Sequence, residues 1–354
     1  MLTTLANYWS SSGHAVELIT FASAREDFYS LDARVSRNAL ELAARSPTVV
    51  TAILSNTRRL LRLRRALIAF SPDVVVSFLA RTSVMALTAA AGTGIPVVIS
   101  ERSIPWLEPI GRFWSTLQHH AYPRAAAFVA QTEAVRSWAR SRWPLLRIEV
   151  LENPLATPLP AGPDSRLDAL YPPGSRVVIA AGRLEKVKRF DSLISAFHRA
   201  AAAAPGWRLV ILGEGPERPA LEQQAVQLGL GNAVVLPGVV TNVLDHFRRA
   251  ACFALTSEYE GFPNSMLEAM SCGVPVLSFD CPCGPREILR GNEGGLLLPD
   301  SDIEALAEAL SRVMQDEPLR RRLGDEARRM SERFSLERVG ARWDRLLESV
   351  VAQG

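Results

Sequence analysis

The feature that most constrains this chain is the alternation, from one end to the other, of short apolar runs with longer stretches of helical periodicity. Runs of four to six apolar residues bounded by turn signals suit strands covered on both faces, and helix-length intervals between them supply the cover. The expected fold class is therefore α/β, with parallel sheets wound on both sides. In the first half, a helix is expected at Met1–Ser11, followed by strands near Ala15–Phe21, Asp73–Phe78, Pro96–Ser100, Ala126–Ala130 and Arg147–Leu151, with helices filling the intervals. A second series of strands starts at Arg176–Ala180 and continues at Arg208–Leu212, Ala233–Leu236, Cys252–Thr256, Pro275–Phe279 and Gly295–Leu298. Between the two series lies Glu152-Asn153-Pro154-Leu155 and a stretch rich in Pro, Gly and Ala that reads as a linker.

A chain of 354 residues exceeds what one core usually serves. Two doubly wound domains are expected: 1–155 with a closing helix at about 335–354 packed back on it, and 156–334. At 48% hydrophobic and 22% charged, the composition is that of a folded chain rather than a disordered one. No apolar run reaches the roughly 18 residues a membrane span needs, and the N-terminus lacks the pattern of a signal peptide, so a cytoplasmic location is expected. Cys272, Cys281 and Cys283 lie close together, but nothing local completes a metal set, so reduced and mostly buried thiols are expected.

Charge is unevenly placed. Residues 1–165 carry 17 arginines against 12 acidic residues, leaving 23 basic and 25 acidic residues to the remainder. Arg58, Arg59, Arg62, Arg64 and Arg65 interleave with Leu60, Leu61, Leu63 and Leu67 as in a basic amphipathic helix. Two readings stay open: a solvated face above a buried leucine stripe, or peripheral contact with an anionic membrane surface. No nucleic-acid partner is expected.

Open α/β sheets bind ligands beyond the carboxyl ends of their strands, so the segments there carry the chemistry. After Arg176–Ala180 comes Gly182-Arg183-Leu184-Glu185-Lys186-Val187-Lys188, in which Arg183 and Lys188 can grip a diphosphate and neutralise charge on a leaving phosphate. Lys186 and Lys188 are the only lysines in the chain. After Arg208–Leu212 comes Gly213-Glu214-Gly215-Pro216, a turn expected to bring backbone close to a ligand before a helix begins at Pro216. After Cys252–Thr256 comes Glu260-Gly261-Phe262-Pro263-Asn264-Ser265, with Glu268 two residues after Met266. Pro263 suits a first helical turn, and the amides of Asn264 and Ser265 would then face an anion. Glu268 would lie on an otherwise buried helix face, where a carboxylate is costly unless it binds something. Asp300-Ser301-Asp302 looks like a metal-binding Asp-X-Asp but stands directly before a helical run, where helix capping is expected.

Several of these residues together resemble the family 4 retaining glycosyltransferases of the GT-B fold. They are Gly182-Arg183-Leu184 with Lys188, the turn at 213–216, Leu-Pro-Gly at 236–238, Glu260 and Glu268 with seven residues between them, and Cys-Gly-Pro-Arg-Glu-Ile at 283–288. Gly13-His14-Ala15-Val16 and Asn153-Pro154 extend the likeness over nearly the whole chain. The resemblance implies a nucleotide-sugar donor, UDP-linked, on the second domain, a glycan or lipid-linked acceptor on the first, and chemistry in the cleft without metal or cofactor. It implies that Arg183 and Lys188 hold the diphosphate and that Glu268 takes the ribose hydroxyls. Glu260 and the amides from Phe262 to Ser265 would surround sugar and phosphate, with the base near Gly213, Gly215 and Pro237. It also implies retention by front-face attack, the leaving phosphate helping to deprotonate the acceptor. The family's first strand and glycine-rich loop have no counterpart before Met1, and the cleft histidine of many relatives has no clear match. His119 and His120 are candidates for it, and Glu101 and Arg102 are expected to face the acceptor. Two rivals stay open: a nucleotide-sugar epimerase of the same fold, and a truncated, non-catalytic nucleotide-binding protein.

Overall fold

A computed structural model of the chain describes residues 1–27, 29–43, 48–155, 170–172, 174–202, 204–289 and 292–353. The chain divides into two compact units, Met1–Ala156 with Leu336–Gly354, and Thr157–Ser335.

Unit 1 opens with α1 (Leu2–Ser11) and two short parallel strands, β1 (Glu17–Thr20) and β2 (Ser36–Ala39), which pair only with each other among the described residues. The long helix α2 (Val49–Phe70) follows; Thr48 caps it, its side chain accepting from the Thr51 amide at 3.2 Å while the Thr51 hydroxyl accepts from the Thr48 amide at 3.0 Å. Then come β3 (Val75–Phe78), α3 (Ala80–Ala90), β4 (Val97–Ser100), α4 (Arg112–Ala121), β5 (Ala127–Ala130), α5 (Glu133–Arg142) and β6 (Ile148–Val150). Strands β3 to β6 form a parallel sheet in sequence order. Alternation sends Val97, Ile99 and Phe128 into one core and Val98, Ala127 and Val129 into another on the opposite face, so β4 and β5 are buried throughout. Strand β2 lies in an interval where only helices were expected. Ser36-Arg37-Asn38-Ala39 carries no apolar run to announce it, and it is held by β1 and by Arg37, which donates to Asp27 at 2.7 Å and to the Thr20 hydroxyl at 2.8 Å.

Unit 2 runs β7 (Arg176–Ala181), α6 (Phe190–Ala201), β8 (Trp207–Leu212), α7 (Arg218–Gln227), β9 (Val234–Gly238), α8 (Val243–Arg249), β10 (Cys252–Leu255), α9 (Asn264–Ser271), β11 (Val276–Phe279), α10 (Pro285–Ile288), β12 (Gly295–Leu298), α11 (Ile303–Gln315) and α12 (Glu317–Ser331). Its parallel sheet has the order β12-β11-β10-β7-β8-β9. Winding proceeds outward from β7 in one direction through β8 and β9, then resumes at β10 on the other side. The order therefore reverses between β7 and β10, and the loops leaving those two strands diverge around a switch point.

The last helix, α13 (Leu336–Val351), belongs to unit 1. Asp344 accepts from the Tyr8 hydroxyl at 2.7 Å and from the Trp9 indole at 3.1 Å, while Trp343 meets Trp9 edge-on at 5.9 Å. Trp343 is fully buried among Val98, Val129, Leu151 and Leu5. Trp343→Ala is expected to cost unit 1 about 3–5 kcal/mol in urea unfolding. The control Leu145→Ala, at a side chain 99% exposed, should change stability by less than about 0.5 kcal/mol; equal effects would show that α13 is not part of the core.

Candidate functional site

The two loops that flank the switch point are stitched together. Lys188, at the end of a single helical turn, Lys186–Lys188, donates from Nζ to Glu260 Oε1 at 2.7 Å. Ser257 donates its hydroxyl to the same oxygen at 2.6 Å, the Thr256 hydroxyl donates to the Lys188 carbonyl at 2.8 Å, and the Glu258 amide donates to the Val187 carbonyl at 2.8 Å. The side chains of Lys188 and Glu260 are only 22% and 12% exposed, so the pair lies well away from bulk screening. The sequence suggested both as ligand contacts; the structure bonds them to each other. An ammonium has three N–H donors, and Glu260 occupies one.

Arg183 stands apart from this pair. Its guanidinium is 79% exposed and meets Glu185 at 2.9 Å, a contact that solvent weakens and that a phosphate can displace. Gly182 continues β7, its amide donating to the Leu212 carbonyl at 3.0 Å.

The turn after β8 needs glycine for a reason other than ligand approach. Gly213 has φ +132°, and a Cβ there would lie 2.0 Å from the Gly182 carbonyl oxygen; one on Gly215 would lie 2.4 Å from the Leu184 carbonyl oxygen. Backbone presses on backbone here, tied by the Leu184 amide donating to the Glu214 carbonyl at 2.9 Å and the Glu217 amide donating to the Leu184 carbonyl at 3.0 Å. The helix that follows starts at Arg218, not at Pro216. Arg218 was not singled out in the sequence. It donates to Glu214 at 2.6 Å, to Glu222 at 2.8 Å and to the Leu236 carbonyl at 2.9 Å, bracketing the turn to β9. Glutamates four residues to either side were the available signal. Pro237, half-buried in β9, offers no N–H to the ladder where the β8–β9 register shifts.

Beyond Glu260, Phe262 is buried with its ring edge-on to Phe334 at 5.8 Å. Pro263 occupies the N-cap position rather than the first turn, so α9 begins at Asn264. Its carbonyl takes the Met266 amide at 3.1 Å, leaving the Ser265 amide in the part of the first turn where a helix supplies no carbonyl. Gly284, at φ +83°, packs on Pro263; a Cβ there would stand 2.6 Å from Pro263 Cδ and 3.8 Å from Glu260 Cβ, so the loop after β11 also seats against Glu260 and Pro263. Glu268 is half-buried on α9 between Leu267 and Ala269; its carbonyl takes the Ser271 hydroxyl at 2.7 Å, while its carboxylate makes no hydrogen bond or salt bridge among the described residues. Burial pushes its carboxyl up to about 7.

In unit 1, Glu101 and Arg102 directly follow β4 and make different contacts. Glu101 is buried; its Oε1 accepts from the amides of Arg102 and Ser103 at 3.1 and 3.3 Å and from the Ser103 hydroxyl at 2.8 Å, and burial raises its pKa. Arg102 lies over Phe78 and Trp343, with ring centres 5.3 and 5.8 Å from Cζ, and donates to Asn153 Oδ1 at 2.8 Å, which also takes Gln131 Nε2 at 2.8 Å. Burial lowers its pKa to about 9, still cationic at neutral pH. His119 is exposed on α4, edge-on to His120 at 5.4 Å. Asp302 caps α11, accepting from the Ala305 amide at 2.9 Å, while Asp300 meets Arg189 at 3.6 Å. Cys252 and Cys281 are buried and Cys272 and Cys283 half-buried, none of them in a disulfide.

With that geometry in place, comparison with known proteins defines the class. Residues 1–154 match the family model described as glycosyl transferase 4-like domain, and residues 165–330 match glycosyl transferases group 1. Between them the two models span nearly the whole chain, which is a glycosyltransferase of the GT-B fold. An exopolysaccharide phosphotransferase of Streptomyces coelicolor is 35% identical over 65% of this chain, and the match spans only 24% of that relative. The chain is also similar to a Campylobacter jejuni α-1,4-N-acetyl-D-galactosaminyltransferase whose named substrate is a diphospho-undecaprenol-linked glycan. Identity to it is 29%, over 99% of this chain and 94% of the relative. Among solved structures, Anabaena HepE in complex with UDP and glucose superimposes with a TM-score of 0.77 at 18% identity, over 98% of this chain and 95% of that one.

Arg218→Met removes the bracket between the Gly213 turn and β9. Its side chain is 23% exposed but the two carboxylates it bonds are about half exposed, so solvent discounts those pairs and unit 2 is expected to lose about 1 kcal/mol in denaturant unfolding; a loss under about 0.3 kcal/mol would show that the turn holds without it.

Proposed function

We propose that this chain transfers a hexose or N-acetylhexosamine, with retention of configuration, from a UDP-sugar to a glycan or lipid-linked acceptor in polysaccharide or lipid-linked glycan synthesis. The observation that carries this reading is the Lys188–Glu260 pair at 2.7 Å across the switch point of unit 2, the place where a doubly wound sheet receives its ligand. The names of the Campylobacter relative and of the UDP-bound Anabaena structure support the donor and acceptor classes.

In this reading Lys188, with two N–H donors still available, and Arg183, swinging from Glu185, take the donor diphosphate. Glu260 and the amides from Phe262 to Ser265 receive the sugar and its phosphate, with Gly261 and Pro263 shaping the loop. Gly182, Gly213, Gly215 and Pro237 line the nucleoside end, and Glu268 accepts from the ribose hydroxyls, the partners its half-buried carboxylate lacks. As the bond from the anomeric carbon to the phosphate oxygen breaks, charge grows on the diphosphate and the two cations stabilise it. The acceptor hydroxyl attacks from the same face and passes its proton to that phosphate oxygen. No metal is required in this scheme, and transfer is expected to persist in chelator. The acceptor is assigned to unit 1, where Glu101, Arg102 and His119 are the candidates. A lipid-linked acceptor would hold the enzyme at the cytoplasmic face of a membrane, with Arg58–Arg65 in peripheral contact.

Calorimetric titration with UDP tests the donor half: Lys188→Ala should weaken binding by about tenfold or more, and equal affinity would sink the assignment of Lys188. Incubation with UDP-N-acetylglucosamine alone, followed by a search for an epimer, tests the reaction class; an epimer formed without acceptor would overturn transfer. Glu268 gives a pH test. Its folded pKa is raised to about 7, and accepting two hydroxyls favours the ionised form, so UDP affinity should climb between about pH 6 and 8 as the proton leaves. UDP titrates in the same range, so the readout is the difference between wild type and Glu268→Gln: identical pH profiles would remove Glu268 from the ribose.

A further inference from the structure

The segment 260–265, which runs into α9, is held from two sides by residues far along the chain. Phe262 is buried against Phe334, the rings edge-on at 5.8 Å. Phe334 ends a single helical turn, Glu332–Phe334, that follows α12 and precedes Ser335, the last residue of unit 2. Beside it Arg333 stands over the Phe334 ring, with Cζ 4.5 Å from the ring centre, and its Nη2 donates to the carbonyls of Glu287 and Ile288 at 2.9 and 2.7 Å. Those are the last carbonyls of α10, where a helix leaves acceptors unfilled.

The other end of α10 closes the circuit. Gly284, its N-cap, seats against Glu260 and Pro263, and the Pro282 carbonyl takes the Glu260 amide at 3.5 Å. The segment is therefore bounded by Gly284 on one side and by Phe334 on the other, and Arg333 joins the two. Helix α12 forms the base. A Cβ on its Gly324 would lie 2.4 Å from the Gly273 carbonyl oxygen, and its Arg328 donates to the Cys272 carbonyl at 3.2 Å, so this helix also grips the chain just past the end of α9. Burial of apolar area would need only the two phenyl rings; the cation adds a fixed link from those rings to α10.

We propose that Arg333 and Phe334 are positioning residues for the ligand received at segment 260–265: they act through the segment, setting where the Glu260 carboxylate and the amides from Phe262 to Ser265 stand. The proposal rests on the preceding one in that this ligand is the sugar and phosphate of a nucleotide sugar. Without either contact the segment opens more readily, and the cost of ordering it again falls on the binding step. A displacement of about 1 Å is enough to lose a bond from an amide to a phosphate oxygen.

The test is calorimetric titration of the full chain with UDP, paired with amide hydrogen exchange of the free protein and with urea unfolding. Phe334→Leu, which keeps most of the apolar volume and removes the ring edge, and Arg333→Met should each weaken UDP binding about threefold to tenfold. Exchange at residues 262–267 should quicken by a similar factor, while β7 and β8 exchange as in the wild type. Arg333→Lys, whose ammonium can still donate to both carbonyls, should recover most of the affinity. Lost stability alone does not give this pattern, because a chain that remains more than about 99% folded binds as tightly as before. Phe247→Leu is the control: its ring meets Phe253 edge-on at 5.6 Å in the same unit, so it should lower the urea midpoint and leave UDP affinity unchanged. Combined with Phe262→Leu, Phe334→Leu should weaken UDP binding by less than the product of the separate effects, since each removes the same contact. Unaltered UDP affinity in both Phe334→Leu and Arg333→Met, or an equal loss in Phe247→Leu, would overturn the proposal. A wild-type chain that does not bind UDP would remove the donor reading instead, and exchange at residues 262–267 would still decide whether Arg333 and Phe334 hold the segment.

Discussion

The site depends on one constraint: two loops that leave adjacent parallel strands in opposite directions must be held together at their tips. The Lys188–Glu260 pair does this at 2.7 Å, and Ser257, Thr256 and Glu258 add hydrogen bonds around it. A half-buried ion pair gains little net stability once its desolvation is counted. What it provides is position. Both groups are held half-buried and bonded to each other at the strand ends of the switch point, so much of the reorganisation a site must undergo has been completed in folding. Lys188 serves here better than the arginine this chain uses almost everywhere else, because a compact ammonium can bond one carboxylate oxygen and still present two N–H groups to a phosphate.

The glycine turns carry the same constraint into the backbone. Gly213 and Gly215 lie against Gly182 and Leu184 so closely that a side chain at either would overlap a carbonyl oxygen, and one at Gly284 would overlap the Pro263 ring. The first two loops are thus fixed by main-chain contact, and the third by the fit of a glycine against a proline ring. Arg218 extends the arrangement to β9 through the Leu236 carbonyl. A ligand cradled by such loops meets backbone that is already immobile, which lowers the entropy cost of binding.

Much of this was legible in the sequence, and the exceptions have physical causes. Central strands such as β4 and β5 could be read because both of their faces are covered, which forces continuous apolar runs. Strand β2 could not, since Ser36-Arg37-Asn38-Ala39 pairs with β1 alone and is fixed by the hydrogen bonds of Arg37. The loop positions of Arg183, Lys188 and Glu260 followed from strand ends, but their bonding did not: that Lys188 meets Glu260 while Arg183 meets Glu185 depends on the order of β7 and β10 in the sheet. The position of Glu101 and Arg102 after β4 was legible too, but their separate partners were not: Glu101 takes the Ser103 hydroxyl, while Arg102 lies over Phe78 and Trp343 and bonds Asn153.

Glu260 and Glu268 show most clearly where pattern stops and environment begins. Seven residues separate two identical side chains, and nothing in their spacing distinguishes them. Glu260 stands ahead of α9, where Lys188 and Ser257 compensate its charge at 2.7 and 2.6 Å. Glu268 sits a turn into the helix among Met266, Leu267, Ala269 and Met270, and without such compensation burial raises its pKa to about 7. The first has its charge compensated by bonded partners, while the second exchanges its proton near neutrality. A group bearing hydroxyl donors would stabilise the ionised form of Glu268 and so convert a local cost of folding into binding energy; a purely anionic ligand would not. That asymmetry favours a ligand with hydroxyls on the α9 side and phosphates on the Lys188 side, in that spatial order.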